Sequence, residues 1–102
     1  MEKGTIYSDA ISHYGEAHQI IKAIEELSEL QKELCKFLGG LMEGTYVNNT
    51  DKRDRAKCLI TGEMADVEIM LRQMVLIFDN EQAMEAAIDG KLRRLRVRME
   101  ES

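Results

Sequence analysis

The sequence predicts an all-α fold: a short N-terminal helix followed by three long helices that form an antiparallel bundle. Three observations predict it. The chain has no proline, and its long segments are rich in Ala, Leu, Glu, Lys, Arg and Met, residues that favour the helical state. Apolar residues recur at steps of three and four, the period of one helix face, and no alternating strand pattern or internal repeat competes with them. Polar stretches with turn chemistry, "EGTYVNNTDKRDR" (43–55) and "FDNEQ" (78–82), separate the periodic segments. A length of 102 residues suits a single helical domain, 1–102, with one modest core.

The short helix is expected to begin near Ser8, whose hydroxyl can cap it, and to be interrupted at Gly15. The first long helix runs from Glu16 to Leu38 and stops at the Gly39-Gly40 pair, with Ile20, Ile24, Leu27, Leu34, Leu38 and Leu41 as its buried stripe. Asn48-Asn49 and Asp51 supply turns in the connection that follows. The second long helix covers Arg55 to Phe78. Its residues Ile60, Met64, Val67, Leu71, Met74 and Phe78 form one stripe, while Ile69 and Leu76 lie nearly opposite. A helix apolar all round is normally covered all round, which a chain this small can hardly do; the alternative is that Ile69 and Leu76 are two stray exposed apolar residues. The expectation is a homo-oligomer, a dimer or a tetramer, joined through the central helices. Asp79 or Asn80 caps the third long helix, Glu81 to Met99, with Met84, Ile88, Leu92, Leu95 and Met99 inward. Gly90 within it costs about 1 kcal/mol against alanine and marks close packing or a local bend.

Composition narrows the function. With 44% hydrophobic and 32% charged residues the chain reads as globular. A net charge of -5 and a pI near 5.0 argue against binding a nucleic-acid polymer. No apolar run reaches membrane-spanning length, and "MEKGTIYSDA" lacks the apolar core of a secretory signal, so a cytoplasmic location is expected. Cys35 and Cys58 form no C-x-x-C pair and read as free thiols, Cys35 as a small core residue among Leu34, Phe37 and Leu38. The one basic block is "KLRRLRVR" (91–98).

The acidic residues carry the chemistry. Glu25, Glu26 and Glu29 lie within a turn and a half in "AIEELSEL", and Glu63 and Asp66 stand three apart in the apolar "GEMADVEIML". Like charges three or four apart on a helix each cost about 0.2–0.5 kcal/mol, so both clusters call for a cation. For Glu25 and Glu29 solvent is an adequate answer. Glu63 and Asp66 border the apolar stripe, where either a lysine or arginine, or a metal ion, must meet them. Carboxylates without histidine or thiolate partners suit Mg²⁺ or Mn²⁺ rather than Zn²⁺. The Glu-x-x-His signature of di-iron bundles is absent, and His13 and His18, five apart, share no helix face. Mg²⁺ is normally held by a few carboxylates together with substrate phosphates, which leads to a phosphorylated ligand.

E-E-x-x-E in "EELSE" (25–29), followed on a second helix by E-x-x-D in "EMAD" (63–66), resembles the all-α nucleoside triphosphate pyrophosphohydrolases of the MazG type. The likeness spans most of the chain: Gln19 precedes the first motif as a glutamine commonly does in that family, and "KLRRLRVR" looks like its basic closing helix. The connection between Glu29 and Glu63 is longer than in many members, the extra length falling in "GTYVNNTDKRDR" (44–55). The resemblance implies hydrolysis of a nucleoside triphosphate to the monophosphate and pyrophosphate, with a housecleaning role on the nucleotide pool. It implies Glu26, Glu29, Glu63 and Asp66 as ligands of Mg²⁺, for which Mn²⁺ can substitute. Glu25 becomes a further acidic residue that binds metal or orients the attacking water. Gln19 and Lys22 lie where a substrate would be recognised. Lys91, Arg94 and Arg98, at i, i+3 and i+7, can meet the leaving pyrophosphate, whereas Arg93 and Arg96 point elsewhere. Tyr46 either stacks on a base or is an ordinary loop tyrosine. In this family the pocket often draws on two chains. Alternatives are a dUTP-, dCTP- or phosphoribosyl-ATP-specific relative, and a non-catalytic helical interaction module.

Overall fold

The computed structural model describes residues 2–102, and these form four helices with no strand among them: α1 (Lys3–Tyr14), α2 (Glu16–Glu43), α3 (Thr50–Phe78) and α4 (Glu81–Glu101). The fold class is as expected, but several boundaries move. Helix α1 starts at Lys3, so Ser8 lies inside it and caps nothing. Helix α2 runs through Gly39 and Gly40 and ends at Gly44, in the left-handed region at φ 73°. There Gly44 N–H donates to Leu41 O at 3.3 Å and Thr45 N–H to Gly40 O at 2.8 Å, the paired bonds of a Schellman stop. Helix α3 starts five residues earlier than expected because Asn49 accepts a bond from Lys52 N–H at 3.1 Å, an N-cap that satisfies one orphan donor.

Gly40 does not end α2; it makes room. A Cβ there would lie 2.6 Å from the Tyr46 ring, which stacks on Phe37 at 5.0 Å. Tyr46 is therefore committed to the hairpin turn rather than free for a base. Gly40→Ala is expected to lose stability as this ring is displaced. Gly39→Ala, with open space around its Cβ, should gain about 0.5–1 kcal/mol from helix propensity. Chemical denaturation of the two variants should give shifts of opposite sign.

Helices α2 and α3 form an antiparallel hairpin, in which Gln19 pairs with Gln73 and Glu26 meets Glu63. Beside the covered residues Ile20, Gly39, Gln73 and Val75, the seam is formed on α2 by Gln19, Ala23, Glu26, Leu30, Glu33, Phe37 and Gly40, and on α3 by Ala56, Ile60, Glu63, Val67, Met70, Met74 and Ile77. Both series advance by alternating fours and threes, the heptad rule of helices packed along a seam. The expected α2 stripe is thus displaced by one residue. Ile24, Leu27, Leu34, Leu38 and Leu41 are about half exposed, and Cys35 lies on the surface with them instead of in a core. On α3, Met64 and Phe78 are likewise exposed, while Met70 is buried.

Helix α4 makes no extended contact with the other three. Its expected inward residues Met84, Ile88, Leu92, Leu95 and Met99 are all exposed, and nothing approaches Gly90. Its first turns line a cleft of about 530 Å³ with Leu71 and Val75 of α3 and Tyr7 of α1. The radius of gyration, 17.5 Å, exceeds the roughly 13 Å of a compact domain this long. No helix is long and apolar enough to cross a membrane.

Candidate metal centre

The α2–α3 seam places carboxylates where a helix hairpin ordinarily places leucines. Glu26 and Glu33 occupy seam positions on α2 one heptad apart, on either side of Leu30, with side chains only 14% and 19% exposed; Glu63 occupies the seam of α3 and is half-buried. One carboxylate oxygen from each of Glu26, Glu63 and Asp66 lies within 4.8 Å of the others. Three of the four expected ligands therefore converge. Glu29 is exposed and falls outside this triad. Glu33 went unread in the sequence, although it is one heptad beyond Glu26.

The charge here is only partly compensated. Lys22 Nζ lies 3.2 Å from Glu26 and 3.8 Å from Glu25, and these carboxylates hold the Lys22 ammonium above its usual pKa. Glu33 pairs with Lys36 at 3.5 Å. Neither Glu63 nor Asp66 has a lysine or arginine within 4 Å among the described residues. The Glu63 carboxyl is accordingly pushed up, first by desolvation and then by the charges of Asp66, Glu26, Glu29 and Glu33.

Because protonation relieves that repulsion, Glu63 contributes stability below its ordinary value of 4.5 that is lost as pH rises through its raised folded-state pKa. In metal-free protein the melting temperatures of the wild type and Glu63→Gln should diverge as pH rises above 4.5, the variant becoming the more stable. Parallel curves would remove the electrostatic account.

The donor set fits a hard divalent cation. Oxygens sharing one Mg²⁺ at about 2.1 Å are at most about 4.2 Å apart, so the triad lies within side-chain adjustment of a common ion. Three carboxylates with no nitrogen or sulfur donor favour Mg²⁺ or Mn²⁺ over Zn²⁺.

The remaining expected residues divide. Lys22 and Glu25 adjoin the triad and line, with Gln19, a cavity of about 550 Å³ where the start of α2 meets α3. Gln19 is 5% exposed, and its amide nitrogen donates to Gln73 Oε1 at 2.7 Å. Gln73, 3% exposed, was missed because a glutamine among Met70, Met74 and Val75 gives no sequence signal. Lys91, Arg94 and Arg98 are not brought to the triad, since α4 stands off the hairpin. None of them has an acidic partner within 4 Å among the described residues. Arg94 and Arg98 instead share a shallow cleft with Arg93 and Val97.

No protein-family model, curated protein or solved structure matches the chain.

Proposed function

We propose that the chain is a Mg²⁺-dependent nucleotide pyrophosphohydrolase, resembling the MazG type, that converts a nucleoside triphosphate to its monophosphate and pyrophosphate. The observation that carries this reading is the convergence of the seam residues Glu26 and Glu63 with the exposed Asp66 at its edge, and no lysine or arginine among the described residues meets Glu63. A carboxylate in a seam is costly unless a cation meets it, and the chain's own lysine meets only Glu26 and Glu25.

A divalent ion held there supplies neutralisation of phosphate oxygens and a lowered pKa for bound water. The chain's part is to fix the geometry. Glu26 and Glu63 come from facing helices, so their separation is set by seam packing rather than by a loop. Asp66, one turn beyond Glu63, completes the set from the same helix. Glu25 is 60% exposed and remains free to orient a water toward the α-phosphorus. The water oxygen then joins the nucleotide, and the bond to the bridging oxygen of pyrophosphate breaks. Lys22, between the triad and the cavity, is placed to meet phosphate charge as its contacts to Glu26 and Glu25 loosen.

The working unit in this reading is a homo-oligomer. Ile21, Ile24, Leu27, Leu34, Leu38, Leu41 and Met42 are between 46% and 80% exposed along a charge-free face of α2. A contiguous apolar face of that extent is what an interface between chains covers. A neighbouring copy is also the source from which Lys91, Arg94 and Arg98 would reach the polyphosphate.

A panel of canonical and modified nucleoside triphosphates, assayed for phosphate after added pyrophosphatase, tests the activity. The expected result is Mg²⁺- or Mn²⁺-dependent release from at least one nucleotide. Absence of release from every member would remove the enzyme reading and leave the helical interaction module, which the Lys22–Glu26 ion pair favours.

A further inference from the structure

We propose that the cavity beside the acidic triad is a base subsite, in which Tyr14 offers a stacking face and the parallel ring of His18 an in-plane edge. The buried Gln19–Gln73 amide pair sets which nitrogen of His18 is left to read the base. The inference rests on the nucleotide reading above and names the part of the substrate that the metal centre does not touch.

The cavity, about 550 Å³, is lined by Tyr14, His18, Gln19, Lys22, Glu25 and Met70. Its size falls within the range of small-molecule sites, and Lys22 gives it a common wall with the triad. A nucleotide whose phosphates lie at the triad thus has its base within reach of this cavity. Aromatic residues make up only 5% of the chain, and exposed ones need a reason. Tyr14 and His18 are both exposed, yet their rings lie 5.0 Å apart at 15°. Gly15, at φ 92° between α1 and α2, bends the chain so that residues on two helices adopt this arrangement. A planar heterocycle that enters the cavity in the plane of the His18 ring stacks on Tyr14, an interaction open to every base because each has a π-face.

The amide chain adds direction. Gln19 donates through Nε2 to Gln73 Oε1 at 2.7 Å, which turns its own oxygen toward His18 Nδ1 at 2.8 Å. That oxygen can only accept, so Nδ1 carries the proton and a neutral ring leaves Nε2 as an acceptor. Gln73 in turn donates to the Met70 thioether at 3.7 Å, a weak acceptor. The two amides, buried to 5% and 3% exposure, satisfy each other and so hold the His18 ring edge in one orientation. The edge so presented accepts a base N–H, and His18 acts on specificity while Tyr14 acts on affinity.

The test compares two ligands by calorimetry with Mn²⁺: inorganic tripolyphosphate, and the four α,β-imido nucleoside triphosphates, whose α–β bridge resists hydrolysis. Tyr14→Ala is expected to weaken the tightest nucleotide about tenfold or more and to leave tripolyphosphate unchanged. His18→Phe keeps a ring but removes the acceptor, and should flatten the preference among bases with tripolyphosphate again unchanged. Equal losses for both ligands, or no loss for nucleotides, overturn the subsite. Failure of the wild type to bind tripolyphosphate overturns the metal-centre reading instead, so the two failures are distinguishable.

Discussion

Glu63→Gln is expected to abolish metal-dependent pyrophosphohydrolysis while making the metal-free fold more heat-resistant. Both effects have one cause. The Glu63 carboxylate lies in the seam between α2 and α3, pushed toward its protonated form by desolvation and by Asp66, Glu26, Glu29 and Glu33. The amide keeps the shape and removes the charge, so repulsion in the metal-free hairpin falls. The same change removes a proposed ligand, and even an outer-shell partner of a bound metal is worth about 10–100-fold; a loss of more than about 100-fold in turnover is expected. Asp66→Asn should lose turnover alike. Coupled phosphate assays and thermal melts with and without Mn²⁺ check both halves, since a ligand stabilises only the state that binds it. Wild-type rates in both variants would refute the assignment. A variant that is inactive because it unfolds would instead show a lowered metal-free melting temperature.

Leu34→Glu combined with Leu38→Glu is expected to convert the proposed homo-oligomer to single chains. Both residues lie on the uncovered face of α2, 48% and 55% exposed, away from the seam that faces α3. A second series, Ile20, Ile24, Leu27, Gln31, Leu34, Leu38 and Leu41, advances by alternating fours and threes along that face, so α2 carries two seams one residue apart. The seam used inside the chain holds the carboxylates; the more apolar one has no partner in it. Two charges in an apolar contact are costly to bury, whereas on a single chain they face water. Light scattering coupled to size exclusion should give a multiple of 11.7 kDa for the wild type and about that mass for the variant. A wild-type mass of one chain would contradict the assembly.

These two seams also explain what could be read in advance. The helical class was legible because composition, spacing and the absence of proline agree. The boundary at Gly44 was not, because Gly39-Gly40 gives the stronger sequence signal, while the choice depends on Tyr46 packing over Gly40. The direction in which α2 faces α3 was misread for a physical reason. A hydrophobic stripe marks a surface to be covered but does not say whether the cover comes from the same chain. The carboxylates of Glu26, Glu63 and Asp66 were legible as spacing, and their convergence is a consequence of antiparallel register. Glu33 and Gln73 were hidden among residues of unremarkable pattern. That His18 can line a pocket was legible; its alignment with the Tyr14 ring was not, because it depends on the backbone turn at Gly15.

The most direct measurement is a Mn²⁺ titration followed by electron paramagnetic resonance, comparing the wild type with Glu63→Gln. If the seam carboxylates share a cation, the free-ion signal will be suppressed up to at least one Mn²⁺ per chain, and Glu63→Gln will restore it. Identical titrations of the two proteins, with the ion remaining free, would contradict the account.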